Sequence, residues 1–132
     1  MTMKFHVDGS LPQNGEIFVF GSNLAGIHGA GAAKVACVQY GAVYGKAKGF
    51  CGHQSYAIPT KDRRFLTLTL EEIAQYVGEF VGVTNHPMVM GNWFVTRVGC
   101  GLAGLKDSQI APMFRGAKNC SFAEEWRVYL CD

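Results

Sequence analysis

Apolar positions along the chain fall into two periods. Continuous runs of β-branched and aromatic residues predict buried strands: Glu16 to Phe20, Ser55 to Ile58 stopped by Pro59, and Trp93 to Val98. Helical spacing predicts helices between them. Ala32 to Tyr40 is rich in helix formers and ends at Gly41, a plausible residue just past the helix end. Thr69-Leu70-Glu71-Glu72 is a capping box, and Leu70, Ile73, Ala74, Val77, Phe80 and Val81 form one stripe reaching to about Val83. Asp107 or Ser108 caps a helix through Ile110 to about Phe114. Ser121-Phe122-Ala123-Glu124 reads as a second capping box, opening a last helix through Trp126 and Leu130. Lys4 to Val7 reads as a short edge strand, followed by turn signals at Asp8-Gly9-Ser10 and Gln13-Asn14-Gly15. Strands alternating with helices predict an α/β sandwich with a mainly parallel sheet.

Composition narrows the classes. The 132 residues are 48% hydrophobic and 17% charged, which predicts one globular domain over 1–132. A net charge of +2 argues against nucleic acid as the partner. No apolar run is long enough to span a membrane, and the first residues lack a signal-peptide core. The five cysteines form no C-x-x-C pair, so neither a zinc site nor a disulfide frame is expected, and the cytosol is the default compartment. No metal and no cofactor is expected.

The 17 glycines concentrate where chemistry is expected. After the strand ending at Phe20 comes Gly21-Ser22-Asn23, then Gly26, His28, Gly29, Ala30 and Gly31, then a helix. After the strand at 93–98 comes Gly99-Cys100-Gly101-Leu102-Ala103-Gly104. A strand, a side-chain-poor loop and a helix N-terminus together aim backbone N–H groups at an anion. Two such loops on one sheet predict a diphosphate cradle. The second matches G-x-G-x-x-G, but no strand ending in an acid lies about 20 residues further on, so a dinucleotide-binding half-domain is not expected. Gly41 to Lys46 is one residue short of a phosphate-binding P-loop and has Ala47 where Ser or Thr is needed.

Asn23 is a candidate to hold a ribose hydroxyl or orient water; an Asx turn is its structural alternative. His28 and Asp62 are the candidate acid or base groups, against the alternatives of a solvated loop histidine and an exposed turn. Asp8 is a candidate acceptor from an adenine amine. Cys100 reads as a small packing residue, since no histidine partner is indicated for a thiol nucleophile.

These residues carry a resemblance. Phe18-Val19-Phe20-Gly21-Ser22-Asn23 with His28-Gly29-Ala30-Gly31-Ala32-Ala33 resembles the first ligand loop of macrodomains, and Val95 to Gly104 is similar to the second. Ser55 to Asp62, Ile110 to Phe114 and Asn119 to Phe122 are similar to runs in a compact bacterial and phage subgroup. The chain departs from typical macrodomains in its His-Gly-Ala-Gly run and its single Asn. The resemblance implies a three-layer α/β/α sandwich with a mainly parallel mixed sheet. It implies a pocket for ADP-ribose, free or on a macromolecule, and metal-independent hydrolysis of an ADP-ribosyl ester or ADP-ribose-1″-phosphate. The implied roles are ligand binding by Asp8, Gly21, Ser22, Gly29 to Gly31 and Gly99 to Gly104, and catalysis by Asn23 with His28 or Asp62. The alternative is a reader or sequestering module that binds the same nucleotide, or a cyclic one, without turnover.

Overall fold

A computed structural model describes residues 3–13 and 15–131. Its strands are β1 (Lys4–His6), β2 (Ile17–Asn23), β3 (Gly49–Phe50), β4 (Ser55–Lys61), β5 (Trp93–Val95) and β6 (Cys120–Ala123). They form one sheet in the order β1-β6-β5-β2-β4-β3. Every pairing is parallel except that of β3 with β4. Helices α1 (Gly31–Gln39), α2 (Leu70–Asn85), α3 (Asp107–Ile110) and α4 (Arg127–Leu130) cover it.

The central strands are buried on both faces, which is why they read as unbroken apolar runs. Along β2, Val19 joins one core with Ile58, Trp93, Val95 and the α2 residues Ile73, Val77 and Phe80. Its neighbours Phe18 and Phe20 join the other with Ala57, Phe94 and the α1 residues Ala33 and Ala36. The two clusters lie on opposite faces because successive side chains alternate. Helix α2 starts as expected: Glu72 N–H donates to the Thr69 hydroxyl, and the Glu72 carboxylate accepts from Thr69 N–H.

Several boundaries differ from the sequence expectation. β2 continues past Phe20 to Asn23, because Gly21 and Ser22 pair with Ile58 and Pro59 of β4. β4 runs through Pro59 to Lys61. Pro59 takes its place in the ladder opposite Ser22 of β2. The β3 ladder ends at Gly49↔Ala57, before Pro59 is reached, so the missing N–H breaks no pairing with β3. β5 stops at Val95, short of Val98. The stretch expected to be helical from Asp107 to Phe114 is α3 followed by a 3-10 turn over Ala111–Phe114. The second capping box does not form. Ser121 and Phe122 lie in β6, clamped between β1 and β5, and its hydroxyl meets His6 Nδ1 at 2.7 Å instead. Cross-strand pairing has overridden the local helix signal. The turn before β2 closes by Glu16 N–H on Gln13 carbonyl at 3.1 Å; Asn14 itself lies outside the described residues, as do Met1 and Thr2. Among the described residues, no helix is long and apolar enough to cross a membrane.

Candidate functional site

The parallel strands all end on one edge, and a cavity of about 620 Å³ opens there. The turn after β1 contributes Asp8 to Leu11. The end of β2 contributes Gly21 to Asn23. Thr60 and Lys61 end β4, and the segment after β5 contributes Thr96 to Ala103. The first glycine loop and the start of α1 complete the wall.

Both glycine loops reach this cavity and touch each other. A methyl group built on Gly31 would lie 3.2 Å from Leu102 Cδ1, and one on Gly21 would lie 3.5 Å from the backbone nitrogen of Gly99. The amides of Gly29, Ala30 and Gly31, and of Gly101, Leu102 and Ala103, meet no backbone or side-chain acceptor among the described residues. Gly31, with φ +58°, opens α1 in a left-handed conformation that favours glycine.

The expected ligand residues Asp8, Gly21, Ser22, Gly29, Ala30, Gly31, Gly99, Cys100, Gly101, Leu102 and Ala103 all line the cavity; Gly104 does not. The expected catalytic groups are divided. Asn23 is at the wall, its Nδ2 donating to Ile27 carbonyl at 2.7 Å and its Oδ1 accepting from Ile27 N–H at 3.1 Å. That is the Asx-type closure, and it leaves one Nδ2 proton and one Oδ1 lone pair for a ligand. His28 is 1% exposed and does not line the cavity. Its Nε2–H donates to Val43 carbonyl at 3.0 Å, its ring packs edge-on against Phe20, and Nδ1 has no partner. An apolar strand face and the segment carrying Val43 have claimed the ring, so His28 is neither the acid or base at the cavity nor the solvated loop histidine that the sequence offered. Asp62 also lies off the cavity. Its Oδ1 accepts from the N–H groups of Arg64 at 2.8 Å and Leu66 at 3.0 Å, closing the turn after β4.

Sequence reading missed three parts of the wall. An aromatic end is formed by Phe18, Phe94 and His6, whose ring stacks on Phe94 at 3.8 Å between centroids. Burial pushes the His6 pKa down. Phe65 stands at the mouth, next to Lys61, the cation that the sequence sets beside Asp62 to counter phosphate charge and that does line the wall. Strand periodicity signals Phe18 and Phe94 as core; only the open edge of the sheet makes them accessible.

The third missed part is Arg97. It holds Asp107 through two bonds, Nε to Oδ1 at 2.9 Å and Nη2 to Oδ2 at 2.6 Å, and reaches Asp8 at 3.1 Å. Trp126 Nε1 donates to the same Asp107 carboxylate at 2.7 Å. The Arg97 hydrogen bonds hold Asp107 below the usual carboxylate range, and those from Asp107 raise Arg97 further. The Cys100 thiol is pushed up to about 12, chiefly by burial, so it stays protonated and serves as packing. Among the described residues, no cluster of three or more His, Cys, Asp or Glu side chains is placed to hold a metal ion.

No protein-family model matches the sequence, and no curated protein matches it by sequence. Among solved structures the chain is similar to Thermosipho africanus DarTG in complex with ADP-ribose, with a TM-score of 0.63 at 17% identity. The match covers 83% of this chain and 38% of that one, so this chain spans well under half the neighbour's length. At that identity the likeness is one of fold. The sheet order, the two-sided core and this likeness together establish that the chain has the macrodomain-like α/β/α fold.

Proposed function

We propose that the cavity binds ADP-ribose or a close derivative, free or attached to a macromolecule. The observation that carries the reading is the convergence of two loops in which the amides of Gly29 to Gly31 and of Gly101 to Ala103 have no acceptor among the described residues. Such amides favour a diphosphate through aligned dipoles and leave no side chain in the way. The cavity volume suits a nucleotide-sized ligand. Its aromatic end, beneath β1 and β5, suits a purine, with Asp8 available to accept from the amine. Lys61 suits the opposite, sugar-bearing end. The solved neighbour's own ligand, ADP-ribose, supports the choice of nucleotide.

The test is calorimetric titration with ADP-ribose, AMP and NAD. Micromolar binding of ADP-ribose is expected, abolished by Gly101→Trp. A methyl group at Gly101 would meet nothing within 4 Å and its φ is not left-handed, so a side chain there does not strain the backbone, while an indole at this cavity-lining position competes with the ligand for space. Indifference to all three nucleotides overturns the proposal.

Hydrolysis of an ADP-ribosyl ester or of ADP-ribose-1″-phosphate is the second reading, favoured by the free donor and acceptor left on Asn23. It needs Asn23 to orient water, because neither His28 nor Asp62 reaches the cavity. Product release from either substrate, lost in Asn23→Ala, supports turnover; tight binding with no product supports a reader.

A further inference from the structure

The turn after β4 has no assigned role, yet it carries a backbone anomaly. Phe65 has φ +65°, a left-handed conformation that is an outlier for a bulky residue. The ring gains little burial in return, since the residue is 48% exposed, and it lines the cavity mouth. Unfavourable conformations persist only where the surroundings impose them, and they gather at ligand clamps. The imposing group here is Asp62. Its N–H donates to Leu66 carbonyl at 2.8 Å, its carbonyl accepts from Phe65 N–H at 3.1 Å, and its Oδ1 holds Arg64 and Leu66. Thr67 then ties the same turn to the second glycine loop, its hydroxyl donating to Ala103 carbonyl at 2.9 Å.

We propose that Phe65 covers the terminal ribose of the ligand at the β4 end of the cavity, and that Asp62 is the positioning residue that holds it there. The proposal rests on the ADP-ribose reading. Position selects the ribose. The aromatic wall of Phe18 and Phe94 and the Asp8 turn occupy the β1–β5 side. The converging amides lie in the middle, and Phe65 stands beside Lys61 at the far end. An aromatic face suits the apolar face of a sugar ring.

Four proteins and two ligands test this. Wild type, Phe65→Gly, Asp62→Ala and Asp62→Asn are titrated with ADP-ribose and with ADP, which lacks the terminal ribose. Phe65→Gly is expected to weaken ADP-ribose about tenfold and to leave ADP unchanged. Its melting temperature should hold or rise, because glycine adopts the left-handed conformation without strain. Asp62→Ala should lose the same factor. Asp62→Asn should keep wild-type affinity, since an amide Oδ1 still accepts from Arg64 and Leu66; an acid or base would not survive that change. Unchanged ADP-ribose affinity in Phe65→Gly overturns the proposal alone. Equal losses for ADP and ADP-ribose, or equal losses in both Asp62 variants, do the same. Failure of the wild type to bind ADP-ribose overturns this proposal and the function beneath it together.

Discussion

The two glycine loops present the same chemistry but are held up differently. The first leans on a distant segment. Gly45 N–H donates to Gly26 carbonyl at 2.9 Å, Ser22 hydroxyl donates to Ala47 carbonyl at 2.5 Å, and His28 and Tyr44 lock the 42–47 stretch to the loop. Cys51 fixes that stretch in turn, its sulfur accepting from Val43 N–H at 3.3 Å. The second loop is braced mainly by its own backbone. Cys100 N–H donates to Arg97 carbonyl, Gly104 N–H to Gly101 carbonyl and Leu105 N–H to Gly99 carbonyl. Its base is pinned by the Arg97–Asp107 pair. Unspent amides therefore need rigid support, but that support can be remote or local. A remote brace makes the first loop sensitive to changes far along the chain.

The largest effect is expected where the first loop meets its brace. A methyl group on Gly26 would lie 2.7 Å from the Gly45 backbone, and Gly26 has φ +70°. Backbone cannot yield as a flexible side-chain end does. Gly26→Ala should cost about 4 kcal/mol, strain and overlap together, read from denaturant midpoints. Gly101→Ala, its partner in the second loop, should be nearly neutral because open space surrounds it. Equal losses in the two would erase the distinction between remote and local support.

A smaller effect is expected at the base of the second loop. Arg97→Ala leaves the Asp107 carboxylate with Trp126 but no cation, and should cost about 2 kcal/mol given the pair's partial burial. The pH dependence follows from the same contact. Asp107 is held below the usual carboxylate range, so the folded chain binds its proton less readily than the unfolded one. Its contribution is full above the ordinary carboxylate range and is lost as pH falls through the lowered folded value. Arg97→Ala should flatten that acid limb of a stability-against-pH curve. An acid limb identical to wild type would mean that Arg97 does not set it.

This contrast also explains what was legible in the sequence. Loop-forming glycines, α2 with its capping box, and the two-sided strands follow from local chemistry, so the sandwich and the two glycine-rich walls of the cavity could be read directly. Residues whose partners are distant could not. His28 looks like a loop histidine until Val43 and Phe20 claim its ring. Arg97 is one of five arginines until Asp8 and Asp107 fold onto it. The 41–54 stretch carries no helical or strand period, since its order lies in bonds to the first loop and to β4. Ser121-x-x-Glu124 shows the reverse error, a sound local signal overruled by strands on both sides.

The smallest effect sharpens the comparison most, because the second loop has a remote tie of its own. The Thr67 hydroxyl donates to Ala103 carbonyl at 2.9 Å from an exposed position. Thr67→Val keeps the shape and removes the donor, and Ala103 carbonyl can turn to water, so the cost should be about 0.5 kcal/mol. If the second loop is truly self-supporting, ADP-ribose affinity should change less than about threefold, and amide exchange at Gly101 to Ala103 should stay near wild type. A tenfold loss of affinity with accelerated exchange at those amides would show the second loop hanging from its neighbour as the first one does. The cradle would then be one continuous structure reaching from the 42–47 brace to the turn that carries Phe65.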